Sequence, residues 1–123
     1  MQIEQFVMAY GVKQDRLRAL LPEGFALLRP VLRINAEIRD GQSAYLEFNT
    51  AVQSGDARGW LNIGAWENAS FEKRGRTTVF AADALTIRFT AVGVEGGCPA
   101  EKDNAGCFFR RGDGWTLRPA EKI

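Results

Sequence analysis

The sequence of 123 residues contains no histidine. This absence excludes serine or cysteine nucleophiles activated by an imidazole, zinc ligation by histidine, and any imidazole base. Chemistry near neutral pH would therefore depend on carboxylates, lysines or thiols whose pKa values are shifted by their surroundings.

Cysteine is nearly absent as well, with only Cys98 and Cys107 in the chain. Their spacing matches no usual zinc motif, and we expect no metal and no other cofactor. In a cytoplasmic protein both thiols would be reduced, although a disulfide between them would close a short loop, and the sequence leaves this open. Cys98 is either a thiolate activated by a nearby cation or helix N-terminus, or an unreactive structural thiol.

Excess charge and long apolar runs are also lacking. Sixteen basic residues face fifteen acidic ones, so the basic footprint of a nucleic-acid-binding protein is absent. No apolar run approaches the roughly 20 residues of a membrane span, and the N-terminus has no signal-peptide pattern. We therefore expect one cytoplasmic domain, residues 1–123, with neither a nucleic acid nor a membrane as partner.

Alternating apolar and polar residues are what the sequence has in abundance. Residues 32–38 and 44–48 alternate on either side of Asp40-Gly41, which predicts a β-hairpin. A three-residue loop of residues 39–41 pairs Ile38 with Gln42 and keeps the apolar residues together, whereas a two-residue turn would mix the two faces. The second face then carries a row of polar side chains: Arg33, Asn35, Glu37, Tyr45, Glu47 and Asn49.

The rest of the chain predicts further strands and one short helix. Leu17, Leu20 and Leu21 have helical spacing within residues 14–21, and Pro22 ends the helix. Strands are predicted over residues 3–10, 58–66, 70–73, 77–81, 85–94, 107–110 and 115–118. In the strand predicted for residues 58–66, Trp60 and Trp66 are predicted to lie on the same face of the sheet. So many strands predict a mainly β fold, an antiparallel closed or nearly closed barrel with one short helix near residues 14–21.

Several short segments resemble the N-terminal half of the acetoacetate decarboxylases. They are Tyr10, residues 15–23 (DRLRALLPE), 30–33 (PVLR), 45–47 (YLE) and 59–62 (GWLN). The resemblance implies a barrel with an internal pocket, and decarboxylation of a β-keto acid through a Schiff base on a lysine of lowered pKa. Glu47 matches a glutamate that faces the barrel interior in the family. Gly11 stands where the family has an arginine, and the family's Pro-Lys-Lys segment has its nearest counterpart in residues 71–74 (FEKR).

Each candidate side chain has an alternative interpretation. Glu47 is either exposed and paired with Arg33, or it lies inside the barrel, where burial raises its pKa and suits it to proton transfer. Lys73 is either an amine nucleophile influenced by the neighbouring Arg74 or part of a solvated turn. Lys102, between two acidic residues, would be protonated and would serve as an ion-pair partner or an anchor for a substrate carboxylate.

These observations lead to two hypotheses of different classes. The first is a small-molecule-binding β-barrel that, if catalytic, is a lyase or hydrolase acting on a small keto or carboxylic acid. Its candidate catalytic residues are Glu47 and Lys73, and its candidate substrate-binding residues are Arg33, Asn35, Glu37, Tyr45, Trp60, Trp66 and Lys102. The second is a non-catalytic module that self-associates through aromatic side chains. On either hypothesis we expect a homo-oligomer.

Overall fold

The structure, a computed structural model, describes residues 1–90, 94–95, 107–111 and 114–118. The described residues form nine strands and one helix. In chain order these are β1 (Ile3–Gly11), α1 (Gln14–Arg18), β2 (Ala26–Arg39), β3 (Ser43–Ser54), β4 (Ala57–Arg74), β5 (Thr77–Ala82), β6 (Leu85–Phe89), β7 (Val94–Glu95), β8 (Cys107–Arg111) and β9 (Gly114–Arg118).

Strands β1 to β6 form an antiparallel meander that curls into an open half-barrel. The prediction of a mainly β, antiparallel fold is confirmed, whereas the prediction of a closed or nearly closed barrel is wrong, because the strands form an open half-barrel. The sheet divides at the long strand β4 instead of closing into a barrel, because different parts of β4 pair with different strands. The C-terminal part of β4 pairs with β5 through residues 70–74, whereas its N-terminal part pairs in parallel with β8 through Trp60 and Leu61.

The helix lies where the sequence predicts it but is shorter. The backbone N–H of Leu20 donates to the carbonyl of Leu17, and that of Leu21 to Arg18, so the chain tightens into three-residue turns ahead of Pro22. Leu17 is buried, while Leu20 is 60% exposed. The apolar spacing predicted a helix up to residue 21, but the helix ends at Arg18 and buries only Leu17.

The β2–β3 hairpin has the predicted faces but a different register. Ile38 pairs with Ala44 instead of Gln42, and Ile34 pairs with Phe48. Both Asp40 and Gly41 adopt positive φ, and the N–H of Gln42 donates to the carbonyl of Arg39. The turn is therefore centred on Asp40-Gly41, with Gln42 as an extra residue. The loop has three residues as predicted, but it begins one residue later, which shifts every cross-strand pair by two.

Strand β4 spans the two strands predicted for residues 58–66 and 70–73. Its pairing with β3 skips a residue at Ile63 and again between Trp66 and Ala69, where Asn68 has positive φ. The irregularity at Ile63 changes the phase of the alternation. Trp60 consequently lies opposite Ala51 on one face of the sheet, while Trp66 lies opposite Leu46 on the other, so the prediction that they share a face is wrong.

The inner face of the curl is the main apolar core. Its buried members are Phe6, Ile34, Ala36, Ile38, Ala44, Leu46, Ala69, Phe80 and Phe89. Phe6 of β1 contacts both Phe80 and Phe89, with ring centroids 5.3 and 5.4 Å apart, although β1 pairs with neither β5 nor β6 in the described sheet. A smaller cluster of Val52, Leu61 and Phe108 packs against Phe25 and Trp115. The apolar core thus leaves the opposite face of β2 and β3 to polar residues.

Candidate functional site

Five polar side chains lie together on the face of β2 and β3 opposite the apolar core. Asn35 pairs with Glu47, and Glu37 pairs with Tyr45, while Asn49 follows Glu47 two residues later on β3. Because side chains of a strand alternate between faces, this register places all five on one side of the sheet. We call Asn35, Glu37, Tyr45, Glu47 and Asn49 the polar row.

The polar row is removed from solvent. Asn35, Glu37, Glu47 and Asn49 have no exposed surface, and Tyr45 is 9% exposed. Glutamate is seldom fully buried, and two adjacent buried carboxylates would be strongly unfavourable without hydrogen-bond partners. No buried side-chain polar atom among the described residues lacks a partner, so the row is a satisfied network.

Asn35 joins the two carboxylates. Its Nδ2 donates to Oε2 of Glu37 at 3.1 Å and to Oε1 of Glu47 at 3.4 Å. Its Oδ1 accepts a hydrogen bond of 2.9 Å from Nε2 of Gln5 on β1. That bond fixes the orientation of the amide, because the oxygen faces Gln5 and the nitrogen therefore faces the two glutamates.

Glu37 is a carboxyl group whose proton affinity is strongly raised by its surroundings. Burial raises its pKa from 4.5 to about 7, and the charge of Glu47 adds to that effect. The charge of Arg39 and hydrogen bonds from Arg39 and Asn35 oppose it. Nε and one terminal nitrogen of Arg39 lie 3.1 and 3.0 Å from Oε1 of Glu37, and the guanidinium stacks 4.6 Å from the centre of the Tyr45 ring. Both protonation states of Glu37 are therefore populated near neutral pH.

Glu47 is also hydrogen-bonded to side chains of its own strand, β3. The hydroxyl of Tyr45 donates to Oε2 at 3.0 Å, and Nδ2 of Asn49 lies 3.5 Å from Oε1. Burial, together with the charge and hydrogen bond of Glu47, raises the pKa of Tyr45, so this hydroxyl keeps its proton and remains a donor. Asn62 on β4 extends the network by donating to Oδ1 of Asn49 at 3.1 Å.

The structure separates the other predicted site residues. Arg33 lies beside the row, opposite Asn49, and its guanidinium is 5.6 Å from the centre of the Trp60 ring. Trp66 lies on the apolar face, where it packs against Phe48 and donates its indole N–H to Asp83. Lys73 is half-exposed, and its amine lies 2.6 Å from a carboxylate oxygen of Glu4 rather than at the polar row. Lys102, like Cys98, lies outside the described residues.

Three contributors to the site were not predicted from the sequence: Gln5, Arg39 and Asn62. Arg39 was assigned to the hairpin loop, and the one-residue displacement of the loop returns it to the strand beside Glu37. Gln5 and Asn62 occupy the neighbouring strands β1 and β4. Strand alternation gives their faces, but the contacts depend on cross-strand register, for which the sequence carries no strong signal.

The polar row provides a proton-exchanging carboxylate, a second buried carboxylate and several fixed donors. Within the described part of the chain, no group of three or more cysteine, aspartate or glutamate residues is arranged to hold a metal ion. None of the helices in that same part is long and apolar enough to cross a membrane.

Comparison with known proteins gives no match: no protein-family model, curated protein or solved structure is significantly similar to the chain. The class defined by the structure is thus a mainly β, open half-barrel with a buried carboxylate pair on its polar face.

Proposed function

We propose that the chain binds a small keto or carboxylic acid at the polar row, and that Glu37 and Glu47 exchange a proton with it, as in a lyase or hydrolase. The observation that carries this proposal is the pair of completely buried carboxylates joined by the amide of Asn35. Clusters of buried ionisable groups with perturbed proton affinities are found preferentially at functional sites.

The two carboxylates have different environments, which suits them to different roles. Glu37, with its pKa near 7, is poised to give or take a proton at neutral pH, where general acid–base catalysis is most efficient. Glu47 accepts hydrogen bonds from Asn35, Tyr45 and Asn49, all neutral donors. Because neither carboxylate is exposed in this state, ligand binding requires local opening of the side chains around them. Arg33, Trp60 and Asn62 are half-buried and border the row, so we place the entrance beside them.

The resemblance to acetoacetate decarboxylases supports a keto acid as substrate, but the described lysines favour carboxylate chemistry over a Schiff base. Lys13 is exposed just before α1, and Lys73 forms an ion pair with Glu4. Neither amine touches the polar row. A lysine nucleophile has to reach the bound substrate, and the ion pair holds the Lys73 amine on Glu4 of β1 instead. We therefore assign proton transfer to the glutamates and no covalent role to Lys73.

Binding of keto acids to matched variants tests this proposal. Acetoacetate, pyruvate and levulinate are titrated into the wild type, into Glu47→Gln, and into Glu72→Gln, which alters an exposed glutamate of β4. We expect at least one acid to bind the wild type and Glu72→Gln equally, and to bind Glu47→Gln at least about tenfold more weakly. Equal binding by all three proteins, or no binding to any, would contradict the proposal.

Reduction with borohydride in the presence of acetoacetate separates the two chemistries. We expect no mass increase, because the proposed mechanism forms no imine. A stable adduct on any lysine would instead assign the chemistry to an amine, as in the acetoacetate decarboxylases.

Exposed apolar residues favour self-association as a second candidate function. Val7 and Tyr10 on β1 are 48% and 46% exposed, and Leu20 and Leu28 are 60% and 40% exposed. Light scattering after size exclusion should show a dimer or larger species that Leu20→Ser or Tyr10→Ser shifts toward monomer. A wild type that is monomeric at all concentrations would eliminate this candidate.

A further inference from the structure

We propose that Arg29 and Arg33, held over the ring of Trp60, form an anchor for the carboxylate group of the ligand. This inference rests on the proposed function and assigns it a ligand class, an acid whose keto-bearing end reaches Glu47. It also adds Arg29, a residue that the sequence patterns did not single out.

Both guanidinium groups are located by the same aromatic ring. The central carbon of Arg29 lies 5.9 Å from the centre of the Trp60 ring, and that of Arg33 lies 5.6 Å from it. An indole face attracts cations and limits the rotamers that the long side chains sample. An anion that reaches Trp60 is therefore within the attraction of both guanidinium groups. Arg29 forms no ion pair with any of the described residues.

The anchor is continuous with the polar row. Arg33 pairs directly with Asn49, and Trp60 pairs with Ala51, so both lie on the face that carries Glu47. Arg33 and Glu47 are diagonal neighbours on adjacent antiparallel strands, and such positions are separated by about 7–8 Å. A short keto acid spans that distance, with its carboxylate at the guanidinium groups and the CH₂ group beside its keto group at the glutamate, which can take a proton from that carbon.

A carboxylate suits this geometry because a guanidinium presents a planar pair of donors that matches its two oxygens. The half-buried surroundings of Arg33 and Trp60 strengthen a charge-assisted bond relative to bulk water. Exposed Arg29 extends the anchor toward solvent, where it meets the incoming anion first. Arg29 should therefore contribute to capture, and Arg33 to the bound position.

The test compares acids with neutral analogues on arginine variants. Levulinate and its neutral counterpart 2-pentanone are titrated into ¹⁵N-labelled wild type, Arg29→Gln, Arg33→Gln and the control Arg88→Gln, which alters an exposed arginine of β6. The indole N–H signal of Trp60, assigned by its loss in Trp60→Phe, reports binding at the anchor. Sodium phosphate provides a second anion.

We expect levulinate to shift the Trp60 signal, and each of Arg29→Gln and Arg33→Gln to weaken its binding about tenfold. Binding of 2-pentanone should be much weaker and the same in all four proteins. Unchanged affinity of both arginine variants for an acid that still requires Glu47 would overturn the anchor while leaving the proposed function intact. Phosphate binding as tight as levulinate binding would overturn the carboxylate class, and absence of acid binding to the wild type would overturn both proposals.

Discussion

Glu37 couples the stability of the fold to pH, because its folded-state pKa of about 7 exceeds the ordinary 4.5. Below pH 4.5 the carboxyl is protonated in both folded and unfolded chains, and its full stabilising contribution is present. As pH rises toward 7 the unfolded chain loses this proton first, so stability falls, by up to about 3 kcal/mol. Urea unfolding between pH 4.5 and 8 should show this decline in the wild type and lose it in Glu37→Gln.

The control for this pH effect is Glu72, which lies on the surface and pairs with Arg74. The hydrogen bond and charge of Arg74 lower its pKa, so its effect on stability has the opposite sign. Glu72→Gln should therefore retain the decline of the wild type. Parallel stability curves for the wild type and Glu37→Gln would show that burial does not raise the pKa of Glu37.

Tyr45 supplies Glu47 with one of its donors, and its removal leaves the buried carboxylate less well satisfied. Tyr45→Phe keeps the ring on which Arg39 stacks but deletes the hydroxyl that donates at 3.0 Å. We expect a loss of about 1–3 kcal/mol in the free energy of unfolding. Tyr10→Phe alters a hydroxyl on a side chain that is 46% exposed, and it should change stability little. Equal effects of the two substitutions would remove the argument for the Tyr45 bond.

At the residue scale, the sequence predicts which residues belong to the polar row better than it predicts which of them contact each other. Period-two alternation places four residues of the row on one face: Asn35, Glu37, Tyr45 and Glu47. This assignment is correct despite the wrong hairpin register, because a shift of two residues leaves every side chain on its predicted face. The bridge from Asn35 to both glutamates was not predictable, since it depends on the pairing of Asn35 with Glu47. An Asp-Gly pair indicates a turn but leaves its exact first residue undetermined.

At the element scale, β4 shows how one extra residue changes the face of the sheet on which a side chain lies. Alternation predicts Trp60 and Trp66 on one face, and the irregularity at Ile63 places them on opposite faces. No residue type marks a bulge reliably, so this outcome is set by tertiary packing. The ring of Trp66 then folds back over the backbone of Gly64 and contacts Phe48.

Gly64 is consequently required by the position of Trp66. A Cβ atom added at Gly64 would lie 2.8 Å from Cη2 of that ring, closer than van der Waals contact allows. Gly64→Ala should therefore displace the indole and destabilise the fold by about 1–3 kcal/mol. Gly11→Ala is the control on β1, because its nearest added contact is 3.8 Å from the carbonyl oxygen of Pro30. Thermal unfolding should separate the two variants, and similar transitions would contradict a steric role for the ring.

At the scale of the whole molecule, the sequence predicts a curled antiparallel sheet but not whether it closes. Strand number and alternation are local properties, whereas closure depends on which strands share the edges of β4. Here β5 pairs with the C-terminal part of β4, and β8 pairs with its N-terminal part. The curl is held instead by side chains that cross it, namely the Phe6–Phe80–Phe89 cluster and the Lys73–Glu4 ion pair.

These two crossing contacts should differ widely in energy, because one is a fully buried aromatic cluster and the other a partly exposed ion pair. Phe80 has no exposed surface, so Phe80→Ala leaves a cavity between β1, β5 and β6 and should cost about 3–5 kcal/mol. Lys73→Gln removes a charge that is half in water and should cost less than about 1 kcal/mol. Urea unfolding followed by tryptophan fluorescence and far-ultraviolet circular dichroism measures both. If Lys73→Gln destabilises the chain as much as Phe80→Ala, electrostatics rather than aromatic packing holds the half-barrel in its curled form.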